Sequence, residues 1–188
     1  MKDLDVWNFW QGKRVRLRGV EPEDADVMFN WDGDSEAIQS VGSIPFPHSY
    51  KRLKEHVEAL SKKEPESDHY SLIIESEEKE AIGMINTFDC DRRNGTFKYA
   101  ILIARPYRGR GYAKEAVHLI MTYFFNELSY QKLTSIVYSF NKSSIQMHEN
   151  MGFQKEGQLR NMIFTGGHYY DFLYFGITRD EFSEKEWV

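Results

Sequence analysis

From Gly111 to Leu128 the apolar residues are Ala113, Ala116, Val117, Ile120, Met121, Phe124, Phe125 and Leu128. Their steps alternate between three and one, which marks one face of a helix with a 3.6-residue period. Just upstream, Thr96–Ile103 reads as a strand, and its apolar end Ala100-Ile101-Leu102-Ile103 requires cover on both faces. Between them lies Arg105-Pro106-Tyr107-Arg108-Gly109-Arg110-Gly111. A buried strand, a glycine turn and a strongly amphipathic helix in succession commit the chain to a sheet with a helix packed across it. The first amides of such a helix lack internal acceptors, and the helix dipole adds positive character there. Glycines let the backbone approach a ligand closely. Together these features make a cradle for a pyrophosphate, with Arg105, Arg108 and Arg110 adding charge.

The remaining elements follow the same logic. Arg14–Arg18 alternates as a strand, and Glu21-Pro22-Glu23-Asp24 opens a helix with Ala25, Met28, Phe29 and Trp31 on its apolar face. A loop with Pro45 and Pro47 follows. Ser49 then caps a second helix, whose inner face is Leu53, His56, Val57 and Leu60. Tyr70–Ile74 and Ala81–Phe88 form a hairpin, and Leu133–Phe140 is a further strand. Ser143 caps a short helix with Gln146 at the capping-box position, and Gly152 ends it. Thr165-Gly166-Gly167 turns between strands Arg160–Phe164 and Tyr169–Ile177. On the last strand, Tyr170, Phe172 and Tyr174 face one way and Tyr169, Leu173 and Phe175 the other, so one face can line a cleft or a homodimer contact. No Pro-, Gly- or Ser-rich linker divides the 188 residues, which fit a single domain. Residues 1–13, with Trp7, Phe9 and Trp10, read as an arm packed on a domain of residues 14–188.

Two common phosphate-binding motifs fail at specific positions. A dinucleotide fold needs a third glycine and a ribose-binding acid after the next strand, but here Lys114 stands in the first place and Ser139-Phe140-Asn141 in the second. No G-x-x-x-x-G-K-[ST] segment exists. The histidines lack metal-ligand spacing, and Cys90 is the only cysteine.

Arg108-Gly109-Arg110-Gly111-Tyr112-Ala113 matches the R/Q-x-x-G-x-G/A signature of the GCN5-related N-acetyltransferases. Asn141-Lys142-Ser143-Ser144 followed by His148-Glu149-Asn150-Met151-Gly152-Phe153 resembles that family's N-x-x-S…(Y)-x-x-x-G-F segment. Val15–Arg18, Glu23-Asp24-Ala25 and Glu156–Arg160 resemble the branch holding the RimJ/RimL-like ribosomal-protein N-terminal and polyamine acetyltransferases. The resemblance covers residues 14–182. It implies an α+β fold with a mixed, mostly antiparallel sheet flanked by helices and splayed at the cofactor site. The co-substrate would be acetyl-CoA. Its pantetheine would lie along the backbone of Ile101, Leu102 and Ile103, with the pyrophosphate on the amides of Arg108, Gly109, Arg110, Gly111, Tyr112 and Ala113. Asn141 and Ser144 would reach the pantetheine arm. Direct transfer needs no protein nucleophile, only proton handling and an oxyanion donor. Where many relatives carry a tyrosine as general acid, this chain has His148, and an imidazole with a pKa near ~6.5 can serve. Where the branch often carries an acid, Lys98 stands. That leaves Asp89, Asp91 or Asp171 as bases acting through water, with nothing in the sequence selecting among them.

The net charge of −5 argues against a general nucleic-acid binder and favours a cationic acceptor by steering. Polyamines, protein N-termini and other small amines all qualify. No apolar run reaches the ~18 residues of a membrane helix, and the polar start Met1-Lys2-Asp3-Leu4-Asp5 is unlike a signal peptide. With one cysteine, these features point to the cytoplasm. Two other readings stay open at this level: a non-catalytic acyl-CoA-binding module, and a protein using the same cradle for ATP or NAD.

Overall fold

The computed structural model describes residues 7–42, 44–64 and 66–185. One sheet organises them. Its strands are β1 (Val15–Gly19), β2 (Ser71–Ser76), β3 (Ala81–Asp91), β4 (Thr96–Ile103), β5 (Lys132–Tyr138), β6 (Gln154–Thr165) and β7 (His168–Thr178), in the order β1-β2-β3-β4-β5-β7-β6. Neighbours are antiparallel except β4 and β5, which are parallel. A parallel pair needs a crossover, and the amphipathic segment supplies it as α4 (Tyr112–Asn126).

Helices cover both faces. On one side α4 buries Ala116, Val117, Ile120, Met121, Phe124 and Phe125 among Leu17, Ile85, Phe97 and Leu133. Phe97 of β4 stacks on Phe124 with ring centroids 4.0 Å apart. A buried aromatic of this kind contributes roughly 1.5–3 kcal/mol through area alone. On the other side α1 (Ala25–Asp32) and α3 (Tyr50–Ser61) cover Ile73 and Ala104 with Trp31, Leu53 and Val57, and α2 (Ser35–Val41) lies beside β4. The short helices α5 (Lys142–Asn150) and α6 (Arg179–Glu184) complete the fold.

Several expectations shift in detail. Glu21–Asp24 does open a helical segment, but as a single 3-10 turn ahead of α1. Asp24 is buried there and takes two hydrogen bonds from Arg18, at 2.8 and 2.9 Å. His56 faces solvent rather than the core. The cap of α5 is Asn141, whose Oδ1 accepts from the Ser144 amide at 3.1 Å; Ser143 merely donates to that same oxygen. Helix α2 occupies part of what the sequence reads as loop. Its start signal was there to be read: Asp34 caps it by accepting from the Ala37 amide. Of the N-terminal arm, residues 1–6 lie outside the described residues; Phe9 and Trp10 pack edge-on or tilted against Tyr123 of α4.

Candidate active site

Strands β4 and β5 pair only at Thr96↔Lys132, Phe97↔Leu133 and Lys98↔Thr134. Beyond that point each follows its other neighbour: β4 stays on β3 as far as Ile103↔Gly83, and β5 stays on β7 as far as Tyr138↔Phe172. The sheet therefore opens as a wedge with its apex at Tyr99 and Ser135. The wedge holds a cavity of about 590 Å³. It runs from Tyr99 and His148, past Ile101 and Ile103, to Gly109, Gly111 and Ala113.

Backbone direction along β4 alternates. The Ala104 amide donates to Ile82 O across the β3 side. A Cβ built on Gly83 would run into the Leu102 carbonyl, so that carbonyl also points at β3. Ile101 and Ile103 therefore turn their peptide groups toward the gap. The Ile103 carbonyl accepts from Arg108 Nε at 2.9 Å. Leu102 lines the wedge, yet its backbone is committed to the sheet, which narrows the expected backbone contacts to Ile101 and Ile103.

At the wide end, Gly109 and Gly111 have φ of 75° and 83°. That left-handed region is open to glycine at little cost. Gly111 is the N-cap of α4, so the amides of Tyr112 and Ala113 point out of the helix with no intrahelical acceptor. The Arg108 amide, by contrast, already donates to Arg105 O at 3.3 Å. The loop arginines are also more occupied than the sequence suggests. Arg105 forms a two-pronged pair with Asp34 (2.7 and 3.0 Å) and reaches Glu36 at 3.0 Å. These bonds hold the Asp34 carboxyl down at about 2. Arg110 lies over the Tyr107 ring.

The other end of α2 ties to the opposite bank of the wedge. Gln39 Nε2 donates to Thr165 Oγ1 at 2.7 Å, and Asn141 Nδ2 donates to Ser40 O at 3.3 Å. Helix α2 thus spans the cleft from the arginine loop to β6, and Ser40 and Val41 line the cavity. Asn141, expected on the pantetheine arm, spends its side chain capping α5 and holding α2. Asn141 and Ser144 both line the cavity.

His148 is buried at the apex, with 2% of its surface exposed. Its Nδ1 lies 2.7 Å from Ser144 O, and its Nε2 lies 2.8 Å from Tyr99 Oη. Burial pushes the imidazole down to about 4, so it is neutral at pH 7. A carbonyl can only accept, so Nδ1 carries the proton. Nε2 is then an acceptor, and Tyr99 must donate to it. That is the reverse of what a resting general acid needs. Tyr99 itself is buried, and desolvation raises its pKa while a hydrogen bond from Ser135 lowers it. No sequence signal singled out Tyr99, because its partner sits 49 positions away on another element.

The carboxylates considered as bases are elsewhere. Asp89 pairs with Lys98 at 3.1 Å, Asp91 accepts from the Asn94 amide, and Asp171 accepts from the Asn161 amide at 3.0 Å. None of the three lines the cavity, and among the described residues neither does any other Asp or Glu. Its cations are Arg108 and Lys114, which suit a phosphate-bearing ligand. Among the described residues no group of three His, Cys, Asp or Glu side chains is placed to hold a metal ion, and no helix is long and apolar enough to cross a membrane.

The sheet parts beside a glycine-turned helix N-terminus, which leaves a long cleft with outward amides at its wide end. Residues 14–154 match the Acetyltransferase (GNAT) domain. The chain is 46% identical over 175 residues to the SPbeta prophage-derived uncharacterized N-acetyltransferase YokL of Bacillus subtilis, covering 93% of this chain and 96% of that protein. It is 27% identical over 155 residues to the spermidine N(1)-acetyltransferase of Escherichia coli K12, covering 82% and 81% of the two chains. The crystal structure of spermidine N-acetyltransferase from Vibrio cholerae, in complex with CoA and spermine, superposes with a TM-score of 0.79 at 20% identity, over 92% of this chain and all of that one. The chain belongs to the GNAT acetyltransferase family. It is an N-acetyltransferase that moves acetyl from acetyl-CoA to an amine. Membership decides against both the ATP or NAD reading and the non-catalytic module.

Proposed function

We propose that this enzyme acetylates a small primary amine held at the apex of the wedge, with acetyl-CoA laid between β4 and β5. The observation that carries this reading is the loss of β4–β5 pairing after Lys98↔Thr134. It exposes the peptide groups of Ile101 and Ile103 to a pantetheine amide chain, and the outward amides from Gly109 to Ala113 take the pyrophosphate. Ser144 is placed to touch the pantetheine arm. A backbone amide of the parted strand serves the oxyanion as the amine attacks the thioester carbonyl.

The acceptor is a small amine, as the names of the polyamine-acetylating relatives suggest. The wall left for its body is apolar: Val41, Phe88, Tyr138 and Phe172. With no carboxylate among the described residues of the lining, a second ammonium group finds no partner there, so a monoamine on an apolar body fits better than a polyamine or a basic N-terminus. A homodimer contact is best served by the edge strand β6, where Leu159, Met162 and Phe164 are exposed. The test is release of free CoA thiol with spermidine, 2-phenylethylamine and a basic hexapeptide offered in parallel. Higher kcat/KM for 2-phenylethylamine supports the apolar acceptor. Preference for spermidine overturns it and leaves acetyl transfer standing.

A further inference from the structure

The attacking nitrogen must shed a proton and the departing sulfur must gain one, yet among the described residues no Asp or Glu lines the cavity. The groups present at the apex are Tyr99 from β4, His148 from α5 and Ser135 from β5, all lining the same space. They form a directed chain. Tyr99 donates to His148 Nε2 at 2.8 Å, and His148 Nδ1 donates to Ser144 O at 2.7 Å. Around the imidazole pack the rings of Phe153 and Phe175. Tyr99 is the only titratable group bonded to it, and no charged side chain faces it among the described contacts.

We propose that Tyr99 and His148 form a proton relay that takes the proton shed by the attacking amine and returns it to the departing thiolate. As the N–C bond forms, the carbonyl π pair moves onto oxygen. The nitrogen passes its proton to Tyr99 Oη while the hydroxyl proton of Tyr99 moves to His148 Nε2. When the oxyanion collapses, the C–S bond breaks and its electron pair leaves with sulfur. His148 Nε2 then returns its proton to Tyr99 Oη, and Tyr99 delivers its own to sulfur. The products are the amide and CoA thiol, and both side chains end as they began. Tyr99 touches the reacting atoms; His148 stores the proton behind it. A buried imidazolium is a strong acid, which drives the return step. The relay rests on acetyl transfer and not on the identity of the amine.

The test is single-turnover kinetics of Tyr99→Phe, His148→Gln and the double variant, with whichever of spermidine and 2-phenylethylamine the wild type uses faster. Glutamine keeps an acceptor for the Tyr99 hydroxyl but cannot take its proton, so it separates proton storage from packing. Each single variant should lose about 10²–10³ in the acetyl-transfer rate, within the usual range for a positioned acid–base group. The double variant should be no worse than either single, because the two act as a unit. The KM for acetyl-CoA should stay within about twofold, and CoA should still raise the melting temperature of each variant. A rate within threefold of wild type for either single variant overturns the relay, even if the other variant is slow. A second readout needs no turnover. The imidazole ¹⁵N resonances of wild type at neutral pH should show a protonated Nδ1 and a bare, hydrogen-bonded Nε2; a protonated Nε2 overturns the proposal.

Discussion

Replacing His148 by glutamine should change how stability depends on pH, independently of its effect on catalysis. In the fold the imidazole is 2% exposed and its pKa is pushed down to about 4; in the open chain it returns to about 6.5. Between those values the unfolded chain binds a proton that the folded one does not. Stability must therefore fall as pH falls below about 6.5, and the loss is complete only below about 4. Fully expressed, the difference is worth about 3 kcal/mol, and about 2 kcal/mol of that is gone by about pH 5. For a chain this long, 2 kcal/mol lowers the melting temperature by about 5 °C. His118 is also pushed down by burial and adds to the wild-type slope, so the informative quantity is the difference between wild type and variant. Thermal unfolding followed by circular dichroism, at about pH 7.5, 6, 5 and 4.5 on both proteins, gives it. The melting temperatures should converge by about 5 °C on going from pH 7.5 to pH 5, because glutamine does not titrate. A wild-type-minus-variant difference that stays flat over that range would refute the argument, since it would mean that His148 is solvated or charged in the fold.

Two further outcomes follow from the geometry. Gly111→Ala places a side chain at φ +83°, with its Cβ 2.9 Å from Arg14 Nη2; the left-handed backbone costs about 1–2 kcal/mol, so the melting temperature should fall by about 3–5 °C. Arg14 Nη1 holds the Arg110 carbonyl at 2.6 Å, so the same change disturbs the cradle and should raise the KM for acetyl-CoA with little effect on kcat. Asp68→Asn leaves the Tyr130 hydroxyl (2.7 Å) and the Arg92 guanidinium with a weaker acceptor, and should cost about 1–3 kcal/mol in urea unfolding. The Arg92 guanidinium holds the Asp68 carboxyl below its usual value, so the stability it adds is present above about pH 4 and is lost on acidification; the variant should show a shallower acid limb.

Much of the fold was legible because it depends on short-range pattern. The three-and-one spacing from Ala113 to Phe125 demanded a buried helix face whatever lay beneath it, and the glycines before it demanded a turn that only they adopt cheaply. Those two features, with the apolar strand ahead of them, are enough for the cradle and the crossover. Strand alternation likewise located β1, and the hairpin reading located β2 and β3. Helix α2 is faint in the sequence because it is a short run with one buried residue, Ala37; its worth lies in bonds to Arg105, Asn141 and Thr165, which are 71, 101 and 126 positions from their partners.

The chemistry at the apex belongs to the tertiary structure. The sequence by itself determined that an imidazole stands at position 148 and a lysine at position 98, where the family resemblance implies a tyrosine and an acid. It could not determine whether that imidazole gives or takes a proton. That depends on which ring nitrogen faces a carbonyl and how much water reaches the ring. Both were decided when α5 docked beside β4, bringing Tyr99 to one nitrogen, Ser144 O to the other, and Phe153 and Phe175 around them. Pattern and propensity act over a few neighbouring residues, whereas desolvation and tautomer are set by groups that meet only after the chain has folded.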